Sequence, residues 1–380
     1  MRKFELEAYF SEWEFNARYH MTPSDMGSMT LDELLSMASE EDKEKLNNLY
    51  LGYTQILGDP KLREEIAKTY DTMNNDNILC FAGAGEGIYI TMRTLLNEDD
   101  HAIVITPNYQ TAETIALEVC EVSGIALDYQ NNWELDLDEL ESIIKSNTKL
   151  IAINFPHNPT GALLSKEKTN KLIDICRKYD LFLFSDEVFR GLERDENDTM
   201  PQIADLYEKG LSLNVLSKAY GFPGLRIGWI ASKDMQALNA LEKYKHYTSI
   251  CNSAPSEQLA IIVLKNKEKI LGQNREIASK NLDILEEFFL NYPKLFEWKR
   301  PKGGSIAYPK YLGEDGVEEF CKSLIKDASV LLLPASIYES ELTPTPKGHF
   351  RIGFGRNEIF EDGLNAMKGY IENKYKEFIN

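Results

Sequence analysis

The stretch SLNVLSKAYGFPGLRIGWIAS, residues 212–232, places two basic residues, Lys218 and Arg226, within an otherwise apolar segment. A Gly-Phe-Pro-Gly turn separates them, and the apolar runs on either side of the turn predict two strands. Lysine and arginine are rarely buried in a protein without a partner. We therefore expect both cations to lie in the interior and to have a chemical role there.

The segments before this stretch alternate short apolar runs with helical periods. Strands are predicted in NILCFAG, HAIVITP, KLIAINFP, LFLFSDE, LSLNVLS and RIGWIAS, and helices in EGIYITMRTLL, DLDELESIIKS and SKEKTNKLIDICRKYD. Continuous apolar strands separated by helices predict an α/β fold whose mostly parallel sheet is covered on both faces. Ligands of such sheets bind beyond the carboxyl ends of the strands.

The length of the chain, 380 residues, predicts two domains, because a single core rarely grows this large. The alternating segments and a long helical stretch after residue 234 predict a large domain at about residues 46–284. Beyond it the texture changes to FEWKRPKGGSIAYPKY, SVLLLPAS and HFRIGFG. Residues 1–45 and 285–380 are therefore predicted to form a smaller α+β domain.

Charge and composition narrow the function classes. The chain has 42 Lys and Arg against 61 Asp and Glu, a net charge of −19, which disfavours nucleic acid and anionic membranes as partners. We expect neither a signal peptide nor a membrane span, because no long apolar run is present. Five cysteines without CxxC pairing predict reduced thiols in a cytoplasm, and five histidines without ligand spacing predict no metal site.

Polar residues follow the predicted strands at the points where the strands end. They are Tyr109 after HAIVITP, Asn158 after KLIAINFP, Asp186 in LFLFSD, Ser217 and Lys218 after LSLNVL, and the glycine-rich turn Gly83, Ala84 and Gly85 after NILCF. Each has an ordinary explanation by itself, as a cap, a tight turn or a half-buried ring. Strand ends of a parallel sheet converge on one edge, and a helix that begins behind glycines offers free N–H groups to a phosphate.

Three segments in this order, NPTG at 158–161, SDEVFRGL at 185–192 and SKAYGFPGLRIGW at 217–229, resemble the class I/II aminotransferases. These are fold type I enzymes of pyridoxal 5′-phosphate (PLP), and the resemblance runs from GYTQILGDPKLREEIA to FRIGFG. It implies a mostly parallel seven-stranded sheet sandwiched by helices, with a smaller α+β domain. It also implies a PLP-dependent enzyme that moves an amino group between an L-amino acid and a 2-oxo acid.

The resemblance also implies a role for each residue at the strand ends. Lys218 would carry PLP as a Schiff base and move the α-proton, and Asp186 would keep the pyridine nitrogen protonated. Asn158 would bind the ring oxygen and contact the substrate, and Tyr109 would stack on the ring. The phosphate would be bound by residues of the glycine-rich turn and the opening stretch, namely Gly83, Ala84, Gly85, Ser217 and Arg226.

Two further residues follow from the resemblance. Arg351 in HFRIGFG would bind the substrate carboxylate, since a guanidinium suits bidentate binding. Tyr53 in GYTQILGDPKLR would reach the phosphate of a partner subunit, which implies a homodimer with shared active sites. Phe189 and Val215 replace the tyrosine and serine that are common at these positions in the family. Cofactor contacts are therefore expected to be fewer than usual.

Two other functions are open to the same sequence. One is a different PLP reaction, such as β-elimination by a carbon–sulfur lyase, or an amino-acid cyclase, dehydratase or oxidase. The other is a PLP-sensing domain of a transcription regulator, which the short and acidic first 50 residues disfavour. The sequence does not identify the amino acid. YHMTPSDMGSMTLDELL, which departs from the common family opening, indicates an unusual substrate entrance.

Overall fold

The apolar strands form one sheet at the centre of the computed structural model, which describes residues 2–376. The strands of the described chain are β1 Tyr19–His20, β2 Ile78–Phe81, β3 His101–Thr106, β4 Glu121–Ala126, β5 Thr148–Asn154, β6 Phe182–Asp186, β7 Gly210–Val215, β8 Gly228–Ser232, β9 Phe296–Glu297, β10 Ile306–Ala307, β11 Lys310–Tyr311, β12 Val330–Leu331, β13 Leu333–Pro334 and β14 Phe350–Gly353.

The helices surround these strands along the whole described chain. They are α1 Glu5–Trp13, α2 Leu31–Ser36, α3 Glu40–Asn47, α4 Pro60–Ala67, α5 Ala84–Leu95, α6 Thr111–Leu117, α7 Leu137–Ser142, α8 Lys166–Tyr179, α9 Ile203–Leu206, α10 Met235–Lys245, α11 Ala254–Lys265, α12 Lys267–Leu290, α13 Val317–Ala328 and α14 Phe360–Lys374. Short 3₁₀ turns lie at Asn75–Asn77, Glu196–Asp198, Pro223–Leu225 and Ala335–Tyr338. Even α12, with 24 residues, is not apolar enough to cross a bilayer, and the same holds for every other described helix.

The central sheet has seven strands in the order β2-β8-β7-β6-β5-β3-β4. Strand β8 runs antiparallel to β2 and β7, and the remaining pairs are parallel. The predicted α/β fold with a mostly parallel seven-stranded sheet is confirmed. The segments predicted from the sequence cover six of these strands; β4, at the edge, is the one that the apolar runs did not identify.

Both faces of the sheet are buried, which explains the continuous apolar runs. In β3, Ile103 and Ile105 pack on one face, and Ala102 and Val104 pack on the other. Side chains of a strand alternate between the two faces, so a strand that is covered on both faces is mostly apolar, and its few polar residues, such as Ser185 and Asp186 of β6, are buried as well. Burial of each isoleucine contributes about 1.5–3 kcal/mol, and helices on both sides are needed to provide it.

The N-terminal segment pairs with the C-terminal third of the chain. Strand β1 lies parallel to β12, and β14 lies between β10 and β13 in a three-stranded sheet. The aromatic rings of Phe289, Phe296, Phe320 and Phe350 pack together beside these strands. This pairing places residues 19–25 close to the end of the central sheet. The division into domains at 46–284 stays a prediction.

Candidate active site

A cavity of about 450 Å³ lies at the carboxyl ends of the central strands. Its wall includes most of the residues predicted from the strand ends, namely Ala84, Gly85, Tyr109, Asn158, Asp186, Ser217, Lys218, Arg226 and Arg351. Loops after β3, β5, β6 and β7 converge here, as expected for a parallel sheet. The predicted residues are therefore brought together in one site, although their individual roles stay predictions.

Lys218 follows the last strand residue, Val215, by three positions, and its amine reaches into the cavity. The Nζ donates a hydrogen bond to Ser24 Oγ at 2.8 Å. Burial lowers the pKa of this lysine, and the negative charge of Asp25 opposes that shift. A lowered pKa leaves more of the amine neutral at physiological pH, and the neutral form is the nucleophile.

Asp186 ends strand β6 directly opposite Asn154 of β5. Its Oδ1 accepts a hydrogen bond from the Val188 N–H at 3.2 Å, and its carbonyl accepts one from Asn154 Nδ2 at 2.9 Å. Burial raises the pKa of the carboxyl to about 7. Burial makes the ionised carboxylate unfavourable here, and a cation close by, such as a protonated ring nitrogen, would stabilise it.

The N-terminus of α5 forms a cradle next to Arg226. Gly83 precedes the helix with φ +95°, and a Cβ built on it would lie 2.5 Å from Arg226 Nη2. A Cβ on Gly228 would lie 2.8 Å from the carbonyl carbon of Gly83. Side chains are thus excluded from both positions, and the first N–H groups of the helix face the cavity beside a guanidinium. This combination is suited to a phosphate.

One predicted residue differs in position from the expectation. Arg226 is exposed and not interior, because it follows the Pro223–Leu225 turn in a left-handed conformation with φ +54° at the rim. Its Nη1 donates to the Pro223 carbonyl at 3.1 Å, and water can solvate the rest of the guanidinium. Tyr53 is 91% exposed and does not line the cavity within the described chain, so its contact with the phosphate of a partner subunit stays a prediction.

Arg351, on β14, is 2% exposed and contributes to the cavity wall. Its Nη1 donates to Asn158 Oδ1 at 3.1 Å and to the Tyr338 hydroxyl at 2.7 Å, and its Nη2 donates to the Thr22 carbonyl at 2.9 Å. The Nε has no hydrogen-bond partner among the described residues. A buried N–H without an acceptor, next to a catalytic cavity, is suited to a carboxylate.

Tyr109 and Phe189 form apolar parts of the cavity wall. Tyr109 is half-buried and packs edge-on against Phe4, with ring centroids 5.3 Å apart. Phe189 is 1% exposed and packs with Val188, Val215 and Ile306. The residues that replace the family's usual tyrosine and serine, at positions 189 and 215, thus lie at the site and not elsewhere in the core.

Several residues of the site were not predicted. Asn154 ends its strand as Asp186 does, so the same reasoning could have found it; its Oδ1 accepts from the Asn158 N–H at 2.9 Å. Tyr338, Ser24 and residues of α1 come from distant parts of the chain, and long-range packing places them at the cavity. No local pattern in the sequence marks them.

The arrangement fits the cofactor that the sequence resemblance implies. A flat ring with a basic nitrogen, an aldehyde and a phosphate needs a carboxylate, an amine and an anion cradle at separate points of one cavity. Asp186, Lys218 and the glycine-lined start of α5 supply these three groups. Among the described residues, no cluster of three or more metal-ligating side chains is present.

Comparison with known proteins gives a consistent picture. The family model for aminotransferase class I and II matches residues 23–365. A protein of Streptomyces vinaceus named capreomycidine synthase is 26% identical over 367 residues, which cover 95% of this chain and 92% of that protein. An aspartate aminotransferase of Pyrococcus horikoshii is 28% identical over 344 residues, which cover 88% of this chain and 86% of that protein.

A solved structure extends the similarity to three dimensions. The crystal structure of a PLP-dependent aminotransferase from Streptococcus suis has a TM-score of 0.91 and 30% sequence identity, and the alignment covers 98% of both chains. The similarity therefore includes both the central sheet and the segments that surround the cavity.

Proposed function

Because the chain belongs to the class I and II aminotransferases, which are PLP-dependent transferases, we propose that it moves an amino group between an L-amino acid and a 2-oxo acid. The observation that carries the proposal is one cavity lined by Lys218, Asp186, the start of α5 and Arg351, whose buried Nε has no hydrogen-bond partner among the described residues. Each of these groups matches one chemical requirement of the reaction.

PLP, when bound, supplies a carbonyl that combines with amines and a ring that accepts the electron pair released at the substrate Cα. Lys218 is the residue that would bind the carbonyl carbon, since its amine lies in the cavity and burial lowers its pKa. As a neutral amine, its Nζ would take the proton from the substrate Cα and return it later. Ser24 orients this nitrogen through the hydrogen bond at 2.8 Å.

Asp186 would hold a proton on the ring nitrogen. Its burial makes the isolated carboxylate unfavourable, and a positive charge nearby reverses that cost. Asn154 fixes the end of the strand by donating to the Asp186 carbonyl, so the carboxyl direction is set by the sheet. The N–H groups of Ala84 and Gly85 would bind the phosphate together with Arg226 and Ser217.

Arg351 would bind the substrate carboxylate and so place the Cα above the cofactor. Two of its three nitrogens are already bound by Asn158, Tyr338 and Thr22, and these contacts hold the guanidinium still. A fixed donor group costs little entropy when the substrate binds. Asn158, which accepts a hydrogen bond from Arg351, would also bind the ring oxygen of the cofactor.

We also propose that two copies share their active sites, with Tyr53 reaching the partner's phosphate site. The support is the exposure of Tyr50, Leu51 and Tyr53, at 86%, 78% and 91%, since a contiguous apolar segment on a surface favours an interface. A cytoplasmic location is supported by the five cysteines, which are all free thiols. Light scattering of the purified protein tests the dimer, and its failure would leave the reaction itself unaffected.

A second candidate is another PLP reaction on the same scaffold, such as an elimination or a cyclisation. It is favoured by the similarity to the capreomycidine synthase of Streptomyces vinaceus. That alignment covers 95% of this chain, whereas the alignment with the aspartate aminotransferase covers 88%. Ser24 also supports it, because a hydroxyl 2.8 Å from Lys218 Nζ could donate a proton to a leaving group.

One experiment separates the two candidates. The purified holoenzyme is incubated with L-amino acids, with and without 2-oxoglutarate as the acceptor, and both oxo acids and ammonium are measured. Transamination gives a new oxo acid and glutamate only when the acceptor is present. Ammonium release or a cyclic product without an acceptor would overturn the aminotransferase proposal in favour of the second candidate.

A further inference from the structure

Helix α1 turns one face towards the cavity. Glu7, Phe10 and Glu14 line the cavity together with Lys218, and they are spaced by three and four residues. Residues at this spacing lie on one face of a helix, and Glu14, as the C-cap residue, keeps helical backbone angles of φ −53° and ψ −42°. The helix thus gives this wall two carboxylates with an aromatic ring between them.

Among the described residues, neither carboxylate forms an ion pair with a lysine or an arginine. No described side chain or backbone N–H donates a hydrogen bond to the Glu7 carboxylate, and the Glu14 carboxylate lies beside His20, with His20 Nε2 at 3.8 Å from Glu14 Oε1. Burial, together with the positive charges of Arg356 and Arg351, lowers the pKa of His20 to about 4, so this ring is neutral at pH 7. Glu14 therefore faces a neutral group.

Another carboxylate of the cavity wall, Asp25, behaves differently. Asp25 accepts a hydrogen bond from Arg356 Nη2 at 2.7 Å, so the charge of that arginine is already balanced. The contrast shows that an acidic residue in this wall can find a partner within the chain. Glu7 and Glu14 have no such partner among the residues that the structure describes.

Arg351 and Lys218 would together fix the orientation of a bound amino acid in the cavity. The buried Arg351 Nε has no acceptor among the described residues and is ready for a carboxylate, and the reacting amine is at Lys218. A substrate bound at both points leaves the remaining wall for its side chain, and α1 contributes Glu7, Phe10 and Glu14 to that wall. Burial lowers the pKa of Lys218, and the charge of Glu7 raises it, so Glu7 is within electrostatic reach of the reacting centre.

We propose that the substrate is an amino acid whose side chain ends in a cation, either a guanidinium or an ammonium, bound by Glu7 and Glu14 with Phe10 against it. The proposal rests on the proposed function, because it takes the α-amino group of the substrate to react at Lys218. Two carboxylates attract such a cation, the ring face adds a cation–π contact, and both disfavour an acidic side chain.

The test uses the purified holoenzyme and the change in cofactor absorbance on ligand binding, which needs no turnover. Arginine is compared with citrulline, its neutral near-isostere, and lysine with norleucine, and aspartate is the acidic ligand. We expect arginine or lysine to bind about 2- to 30-fold more tightly than its neutral counterpart, as expected for two largely exposed charge pairs. Equal or tighter binding of the neutral or acidic ligand would overturn the proposal.

Variants assign the effect to α1. Glu7→Gln with Glu14→Gln should remove the preference for arginine over citrulline and leave citrulline binding unchanged. Glu12→Gln, an exposed residue of the same helix that does not line the cavity, is the matched control and should keep the preference. A preference that survives the double variant would show that other residues select the side chain.

The proposed reaction and the side-chain preference can fail separately. If arginine binds selectively but no oxo acid forms, the aminotransferase proposal fails and the side-chain inference holds. If oxo acids form from neutral or acidic amino acids and not from arginine or lysine, the reaction holds and the inference fails.

Discussion

Ser24 Oγ lies 2.8 Å from Lys218 Nζ, across 194 residues of sequence. Neighbouring backbone contacts fix both partners: the Ser24 carbonyl accepts from Ser305 Oγ at 2.7 Å, and the Lys218 carbonyl accepts from the Met26 N–H at 3.2 Å. The N-terminal segment therefore does more than cover the cavity. It orients the amine on which the proposed chemistry depends.

Removal of this contact gives the first prediction. In Ser24→Ala the Lys218 amine loses its orienting partner, so kcat should fall about 3- to 30-fold, the equivalent of one hydrogen bond of about 0.5–2 kcal/mol, with little change in KM. Ser24→Thr keeps a hydroxyl and should recover most of the rate. Steady-state kinetics of the three proteins decide this, and a change confined to KM would assign Ser24 to substrate binding.

Lys218→Ala should abolish covalent attachment of the cofactor. The wild-type protein should show a visible absorbance band that survives dialysis, and borohydride should fix the cofactor on the peptide that contains Lys218. The variant should lose the band on dialysis. Lys245 is the natural control, because it is also a buried lysine with a pKa lowered by burial, but its Nζ is bound by three acceptors. Labelling of Lys245 would contradict the assignment.

Asp186→Asn should separate stability from catalysis. Burial raises the folded-state pKa of Asp186 to about 7, above its ordinary value of 3.8. A raised carboxyl pKa means that the cofactor-free protein loses stability as pH rises from about 4 to 7, by on the order of 1–4 kcal/mol. The cofactor-free variant should escape this loss and melt at a higher temperature than wild type at pH 8, but not at pH 4.

The holoenzyme of the same variant should behave in the opposite way. Without a carboxylate the ring nitrogen loses its proton, so turnover should fall by orders of magnitude while the cofactor still binds. Thermal melts at the two pH values and a turnover assay provide both measurements. Turnover close to that of wild type would remove Asp186 from the proposed mechanism.

The sequence predicted the central sheet well because its strands are buried on both faces and read as unbroken apolar runs. Strand β4, Glu121–Ala126, was not predicted, because this edge strand has exposed residues at both ends and lacks an unbroken apolar run. The strand-end rule likewise located Asp186 and Lys218. It could not locate Ser24 or Glu7, since their positions depend on how the N-terminal segment packs against distant parts of the fold. Arg226 was expected inside because its neighbours are apolar, but the left-handed turn directs it to the rim.

Arg351→Lys should weaken amino-acid binding and leave the cofactor content unchanged. A lysine cannot reproduce the contacts to Asn158, Tyr338 and Thr22 and also bind a carboxylate through two nitrogens, so KM should rise about 10- to 100-fold. Tyr338→Phe removes one partner of the guanidinium without removing its charge, and a smaller rise is expected. If the cofactor content falls instead, Arg351 acts on the fold or on cofactor binding.

Phe189→Tyr tests what the missing hydroxyl does at this site. Phe189 lines the cavity and is 1% exposed, so a phenol oxygen at its ring end would either reach the cavity or be buried without a partner. If it reaches the ring oxygen of the cofactor, it stabilises negative charge there, and the Lys218 nitrogen attached to the cofactor holds its proton less tightly. The midpoint of the visible absorbance titration should then shift to lower pH.

Phe10→Tyr adds the same hydroxyl to the opposite wall and should leave the midpoint unchanged. A midpoint that stays put in Phe189→Tyr, with stability reduced by about 1–3 kcal/mol, would show that the hydroxyl is buried without a partner and that Phe189 only packs.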